Sequence, residues 1–363
     1  LCSATTIATL DAVTEQGVAS KTSNRTVAVV GAYGHTGRFV VAELLERGLI
    51  PILSGRDADK LHAIGRSNPG LEIRPASVDD PASLDRALAG AVAVINCAGP
   101  FAVTSAPVLE AALRARIAYL DITAEAEVVA DTFAQYTDRA RDAGIVVVPA
   151  MAFYGGLGDL LATVAMDDWP AADWISIAYA LSGWRPTLGT RATSQVSTTR
   201  RGGGRILFTN HRMELRTGEA PVTEWTFPAP IGTQAVVAEF TMADSVTIPS
   251  HLNTCEIRTY MSVAAVNDLR SSDRSPPVAV DAQGRSAQTF LVEVVACSAG
   301  SKRRAVARGQ DIYAITAPLV VEATRRVLGA PGGPAGVAAA GALFDARSFL
   351  RSLGPEHLTL EIR

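Results

Sequence analysis

The chain of 363 residues is 48% hydrophobic and 19% charged, with a formal net charge of −3. That length suits two domains with ample cores, and the near-neutral balance gives no electrostatic footprint for nucleic acid. The four cysteines, Cys2, Cys97, Cys255 and Cys297, follow neither metal-ligand spacing nor a disulfide framework, which points to a reducing cytoplasm and no metal site.

Residues 1–25 lack a basic start and a long apolar stretch, so they read as an N-terminal tail rather than a signal peptide. Leu1, in place of methionine, points to a trimmed or mis-started terminus. Thr26–Arg56 then predicts a strand, a glycine turn, a helix and a second strand. Val27-Ala28-Val29-Val30 forms the first strand and Gly31-Ala32-Tyr33-Gly34-His35-Thr36-Gly37 the turn. Phe39, Val40, Leu44 and Leu45 share one stripe of the helix, which Gly48 ends before the strand Ile50–Ser54. This is the order of a mononucleotide-binding βαβ unit. Glycine permits the tight turn, keeps side chains away from a pyrophosphate and lets the helix approach the strand, while first-turn N–H groups face the phosphates. The spacing G-x-x-G-x-x-G differs from G-x-G-x-x-G, so its place between two strands carries the reading. Gly31, Tyr33, Gly34, His35, Thr36 and Gly37 are the cofactor-binding residues expected there.

An NAD site places an acid about 20 residues past the glycines, on the ribose 2′-hydroxyl. Here the second strand ends Ser54-Gly55-Arg56. A guanidinium matches a 2′-phosphate in charge and in paired hydrogen bonds, so NADP is the expected cofactor. The competing reading is a solvated arginine whose charge Asp57 and Asp59 dilute.

Asp57 caps a helix through Ile64, and Leu71–Val78 reads as a third strand. Asp79-Asp80-Pro81 starts the next helix, over Ala82–Leu88; Asp79 either caps it or meets the adenine edge of a nucleotide. Ala91–Ile95 is a fourth strand, uniformly apolar as a strand covered on both faces should be. Asn96-Cys97-Ala98-Gly99-Pro100-Phe101 follows, then a helix from Ser105 to Arg114. The uncharged run Ala87–Leu109 is long enough to span a bilayer, but Gly90, Asn96, Gly99, Pro100 and Pro107 break it, so no integral membrane segment is expected. Ile117–Ile122 is a fifth strand, Glu125–Ala143 a helix and Ile145–Pro149 a sixth strand. Regular alternation to this point is the α/β doubly wound pattern.

Beyond it the texture changes. Tyr154-Gly155-Gly156-Leu157-Gly158 reads as a hinge between domains, followed by a helix over Asp159–Met166. Trp174–Leu181, Arg205–Leu207, Ala235–Phe240, Glu256–Val263 and Phe290–Ala296 are β-rich runs cut by proline and glycine, as in a mostly antiparallel sheet. Arg200-Arg201-Gly202-Gly203-Gly204-Arg205 reads as a mobile, solvated turn and Asp268–Pro277 as a polar loop. A helix returns after Gln310, with Ile315, Leu319, Val320, Ala323 and Val327 inward, and a short one follows near Asp345–Leu353.

Hydride-transfer chemistry would leave little trace in the sequence, because the cofactor carries the reaction. Asp121 ends the fifth strand at the carboxyl edge, where open α/β sheets bind ligands. It could bind a substrate amine or move a proton, or simply cap the next helix or pair with the main chain. Tyr154 could donate a proton across the cleft or serve only as packing. His62, His211, His251 and His357 show no pattern with cysteines or acids.

Taken together, Gly31–Gly37, Ser54-Gly55-Arg56, Asn96–Phe101 and Tyr119-Leu120-Asp121-Ile122-Thr123 resemble the saccharopine dehydrogenase-like reductases, including their trans-acting enoyl reductase branch. The resemblance extends to Gly189-Thr190 and to Gly309–Ala323. It implies an α/β fold: a Rossmann-type doubly wound parallel sheet with an inserted α+β substrate domain on a mostly antiparallel sheet. The corresponding division is a Rossmann domain over 26–158, a β-rich closing domain over 159–309 and C-terminal helices over 310–363 returning to the first. It also implies NADP-dependent hydride transfer to a C=N or conjugated C=C bond, with Ala98, Gly99 and Pro100 beside the cofactor. Relatives tend to carry Pro-Ser-Asp at the crossover, where this chain has Leu157-Gly158-Asp159. The expected partner is a small-molecule substrate, with a homodimer as the assembly to consider. The alternative is a catalytically silent NADP(H)-sensing or accessory protein of a larger biosynthetic system.

Overall fold

The computed structural model describes residues 26–330 and 332–363, so the expected N-terminal tail and Cys2 lie outside the described residues. Strands β1 (Thr26–Val30), β2 (Ile50–Gly55), β3 (Ile73–Pro75), β4 (Ala93–Asn96), β5 (Ala118–Asp121) and β6 (Val146–Val148) form one parallel sheet. A short strand, Gly336–Val337, extends it beside β6. The order across this sheet is Gly336–Val337, β6, β5, β4, β1, β2, β3. Val27 and Val29 point into one core while Ala28 and Val30 point into another, so both faces of β1 are buried. That double burial is why the run is apolar without alternation.

Helices α1 (His35–Glu46), α2 (Ala58–Ser67), α3 (Pro81–Leu88), α4 (Phe101–Ala115) and α5 (Ala126–Ala143) link these strands. The chain leaves β1 toward β2 and β3, then crosses back to β4 on the other side. The crevice between the carboxyl ends of β1 and β4 is therefore the topological switch point, where such sheets bind ligands.

The second sheet has nine strands among the described residues. Its main path runs Val222–Phe227, Gly232–Ala238, Glu256–Ser262, Trp174–Leu181, Thr289–Ser298, Ser301–Gln310 and Thr359–Ile362. Pairing is antiparallel except between Trp174–Leu181 and Glu256–Ser262. The arginine and glycine stretch at 200–205 differs from the expected solvated turn, because its cations have partners. Arg200 pairs with Asp131, Arg201 lies 3.6 Å from Glu127, and Arg205 holds Glu239 at 3.0 Å.

The C-terminal part returns to both sheets. Helix Thr316–Gly329 packs on α1, where Arg47 Nη1 meets Glu322 Oε2 at 2.7 Å. Strand Gly336–Val337 joins the first sheet and Thr359–Ile362 the second. This return locks the two sheets together and fixes the walls of the crevice between them.

Candidate active site

A cavity of about 880 Å3 lies at the carboxyl ends of β1 and β4, walled on its other side by the second sheet's connections. Its floor is the glycine turn. Gly31 has φ +86°, and a Cβ there would stand 2.8 Å from the Ala98 nitrogen, so only glycine fits. Gly34 precedes α1, whose first turn has no side-chain cap. Those uncapped N–H groups are free to meet phosphate oxygens. Tyr33, Gly34, His35 and Thr36 line the cavity. Burial holds the His35 imidazole below its ordinary value, so the ring is neutral, and its buried Nε2 has no partner among the described residues.

Gly37 acts differently from the other turn residues. It does not border the cavity, and a Cβ on it would sit 2.2 Å from the Gly31 carbonyl oxygen. Its role is the close approach of helix to strand rather than contact with a ligand.

At the β2–β3 side, Arg56 and Asp79 both border the cavity. Asp57, the neighbour expected to dilute Arg56, instead caps α2 through the Lys60 N–H and pairs with Lys60 Nζ at 3.0 Å. Arg56 makes no ion pair among the described residues. The cap of α3 is Asp80, which accepts the Ser83 N–H, so Asp79 is not the cap and instead borders the cavity.

The β4 loop is held from beneath. Asn96 Oδ1 accepts the Ala98 N–H at 3.0 Å, and Thr104 Oγ1 donates to the Ala98 carbonyl. Glu125, from the neighbouring turn, accepts the Phe101 and Ala102 N–H groups at 2.6 and 3.0 Å. Burial pushes Glu125 up to about 7, against the pull of those two bonds. The loop thus presents Ala98, Gly99 and Pro100 to the cavity. A Cβ on Gly99 would lie 2.7 Å from Thr193 Oγ1, on the facing helix Leu188–Arg200.

The glycine cradle, the uncapped helix start, the unpaired guanidinium and a cavity of this size fit a dinucleotide bearing an extra phosphate. Arg56 would hold that phosphate and the α1 turn the pyrophosphate.

The remaining wall is made of rings and hydroxyls. Tyr154 borders the cavity beside Phe153, Tyr179 and Trp184, with ring centroids 4.8, 5.1 and 6.3 Å away. Its hydroxyl is buried and has no partner among the described residues, and burial raises its pKa well above the ordinary phenol value. Tyr313 accepts from Trp184 Nε1 at 3.0 Å and from the Thr187 N–H at 3.1 Å, and contacts Thr190 Oγ1 at 2.9 Å.

Two expectations are corrected. Asp121 does not reach the cavity: fully buried, it accepts the Thr123 N–H at 3.1 Å, the Ala150 N–H at 2.8 Å and the Tyr119 hydroxyl at 2.9 Å. Burial lifts its carboxyl to about 6. It joins the ends of β5 and β6, and no oxygen is left to face a substrate. The glycine joint is also no open hinge. A Cβ on Gly155 would sit 2.8 Å from the Ala150 Cβ, and one on Gly158 would sit 1.9 Å from Asp244 Oδ1. These glycines serve dense packing. Asp159 is buried too, binding His251 Nε2 at 2.7 Å and the Gly341 N–H at 2.6 Å, so His251 does have an acidic partner.

Sequence reasoning missed Trp184, Thr187, Thr193 and Tyr313 in this wall. Only Gly189-Thr190 and the segment after Gly309 had carried a signal, through the family resemblance.

The family model for the saccharopine dehydrogenase NADP binding domain matches residues 27–148, which gives NADP as the dinucleotide. A probable mitochondrial saccharopine dehydrogenase-like oxidoreductase of Arabidopsis thaliana is 34% identical over 140 residues, covering 34% of this chain and 31% of the relative. The saccharopine dehydrogenase-like oxidoreductase of Homo sapiens is 28% identical over 143 residues, covering 34% and 33%. The chain thus spans about a third of the length of the curated relatives it matches. Apo saccharopine dehydrogenase (L-Glu forming) from Saccharomyces cerevisiae shares the fold with a TM-score of 0.62 at 12% identity, over 93% of this chain and 100% of that one.

Proposed function

We propose, for a chain that belongs to the saccharopine dehydrogenase-like NADP-binding family, that it is an NADPH-dependent reductase of a neutral acceptor whose C=C bond is conjugated to a carbonyl. The observation that carries this reading is the lining of the cavity. Its one carboxylate among the described lining residues, Asp79, sits at the far β3 edge, and Arg274 is at the exposed mouth. An iminium or an α-amino acid needs a facing carboxylate for its positive nitrogen. A conjugated carbonyl needs only hydrogen-bond donors, which this wall supplies. A neutral imine is the C=N acceptor that the same wall would admit.

NADPH, when bound, supplies the hydride that adds to the β-carbon. The protein's part is to hold the acceptor and receive the charge that moves to the carbonyl oxygen. Tyr154 donates a hydrogen bond to that oxygen. It keeps its proton, because a phenolate buried among Phe153, Tyr179 and Trp184 would be costly. The proton added at the α-carbon comes from water at the mouth. Phe101, Trp184 and Tyr313 exclude water from the reacting face.

The units we assign are residues 26–158 for the dinucleotide, 159–309 for the substrate and 310–363 for the return. Cys97, Cys255 and Cys297 are free thiols, as suits a reducing compartment, and the cytoplasm is the one proposed. Among the described residues no helix is long and apolar enough to cross a membrane. The test is an acceptor panel followed by NADPH absorbance. An enone or an α,β-unsaturated thioester should be reduced, and a 2-oxo acid with an amine should not. Tight NADPH binding with no acceptor consumed would return the protein to the sensing or accessory alternative.

A further inference from the structure

We infer that Thr187 is a fixed hydrogen-bond donor to the carbonyl oxygen of the acceptor, oriented by a chain of groups running from Trp184 through Tyr313 and Thr190. The inference rests on the reductase reading above and adds to it a residue that this reading does not require.

The order follows from which groups can only donate. Trp184 Nε1 has a proton to give and no lone pair, and it gives that proton to the Tyr313 oxygen at 3.0 Å. The main-chain N–H of Thr187 gives a second, at 3.1 Å. Both lone pairs of the phenol oxygen are then occupied. Its third contact, with Thr190 Oγ1 at 2.9 Å, must use the phenol's own proton. Thr190 therefore accepts from Tyr313, which leaves its own proton available to Thr187 Oγ1, 3.0 Å away, and we assign the bond in that direction. Thr187 Oγ1 also accepts the main-chain N–H of Thr190 at 3.1 Å, which fills its second lone pair. The role left to the Thr187 hydroxyl is donation.

Thr187 borders the cavity, and with both lone pairs of Tyr313 filled by Trp184 and the Thr187 N–H, its hydroxyl proton is left for the cavity side. A side chain that ordinarily rotates to suit its neighbour is here held as firmly as a main-chain N–H in an oxyanion hole. It matches a carbonyl or carboxylate oxygen and opposes an N–H or ammonium. Trp184 starts the chain and also packs against Tyr154, with ring centroids 6.3 Å apart, so both donors belong to one wall. Thr187 is thus a positioning group for the oxygen that takes up charge, distinct from the residues that cradle the dinucleotide.

The test uses the full chain with NADP+ and a medium-chain α,β-unsaturated thioester whose carbonyl carbon is isotopically labelled. Isotope-edited infrared spectroscopy reads the carbonyl stretch of the bound probe, and steady-state kinetics with NADPH reads kcat/KM. In the wild-type protein the stretch should lie below its free value. Thr187→Val should move it back toward the free value and lower kcat/KM by about 10- to 100-fold. Thr187→Ser keeps the hydroxyl and the helix cap, and should restore both. Should Thr187→Val fail to fold, Thr190→Val frees one lone pair of Thr187 and should move the band part of the way. A band that Thr187→Val leaves unchanged, or a Ser variant that behaves like Val, overturns the donor role and leaves the reductase reading intact. Failure of the wild-type protein to bind the thioester at all overturns both.

Discussion

The rings of His35 and Tyr313 meet edge to face, with centroids 5.0 Å apart. His35 opens α1 at the cofactor turn, and Tyr313 stands before the helix that returns to the first sheet. One aromatic contact therefore couples the dinucleotide cradle to the hydroxyl chain of the substrate wall. Edge-to-face pairs contribute about 0.5–1.5 kcal/mol beyond the area they bury. His35→Ala should weaken acceptor use and NADPH binding together, each by about that amount. Loss in only one of the two titrations would mean that the pair does not couple the sites.

Arg56 offers an unpaired guanidinium at the end of β2. Arg56→Ala should weaken NADPH binding by about 1.5–3 kcal/mol, the scale of a charged hydrogen bond, and leave NADH nearly unchanged. Calorimetric titration with each cofactor decides the matter, since equal losses would make Arg56 structural.

Gly34 and Gly37 should fail in different ways when replaced. The backbone at Gly34, φ −63° and ψ 162°, is open to any residue, and a Cβ there would lie 3.1 Å from the Gly31 oxygen. Gly34→Val should therefore fold and lose cofactor binding, because its methyl groups would occupy pyrophosphate space. Gly37→Val forces a Cβ 2.2 Å from that same oxygen and should unfold the first sheet. Circular dichroism beside an NADPH titration separates the two. A Gly34→Val protein that binds NADPH normally would remove the phosphate cradle from this account.

Asp121 accepts three donors and does not border the cavity. Asp121→Asn puts an amide NH2 among those donors and should cost about 1–3 kcal/mol of stability. Denaturant unfolding should record that loss, while turnover per folded molecule stays the same. Reduced turnover with stability intact would restore Asp121 to the chemistry.

Asp244 carries a pH prediction. It is fully buried, with one oxygen bonded to Tyr179 at 2.9 Å and the other without a partner among the described residues, and burial pushes its carboxyl up to about 7. The unfolded chain releases that proton near 3.8 and the folded one near 7, so this group favours folding at low pH. Its contribution falls as pH rises between those values, by at most about 1.4 kcal/mol per pH unit. Carboxylates held low by arginines, such as Glu110, slope the other way, so the wild-type curve alone is a sum. Subtracting the curve of Asp244→Asn isolates the group. A difference that does not decline with rising pH would mean that Asp244 is ionised in the fold.

The first sheet was legible because its signals are local: a βαβ order, a glycine turn, apolar strands and a capping Asp57. Where the reading slipped, the cause lay elsewhere in the chain. Helix α4 begins at Phe101 rather than Ser105 because Glu125, from another element, satisfies its first N–H groups. Ser301–Gln310, which carries Lys302, Arg303 and Arg304, was not among the expected strands, yet it pairs along its length with Thr289–Ser298. Its Arg304 meets Glu293 on the paired strand, and its Arg303 lies over Trp169, distant in sequence. Helix Leu188–Arg200 buries only Ser197 and so shows no apolar stripe. Its Arg191 clamps the carbonyls of Leu269, Ser271 and Asp273, another contact that no local pattern announces. The glycine turn was therefore readable as a local motif, although Gly37 serves packing rather than the cavity, whereas the substrate wall exists only once both sheets are assembled.

Hydride transfer to the conjugated C=C bond can be followed through one atom. NADPH deuterated on the transferring carbon of its nicotinamide is mixed with the protein and an α,β-unsaturated thioester, and the product is examined by NMR. A saturated thioester with deuterium on the β-carbon and a solvent proton on the α-carbon is expected. A saturated product with no deuterium at the β-carbon, or a thioester unchanged while NADPH stays bound, would contradict it.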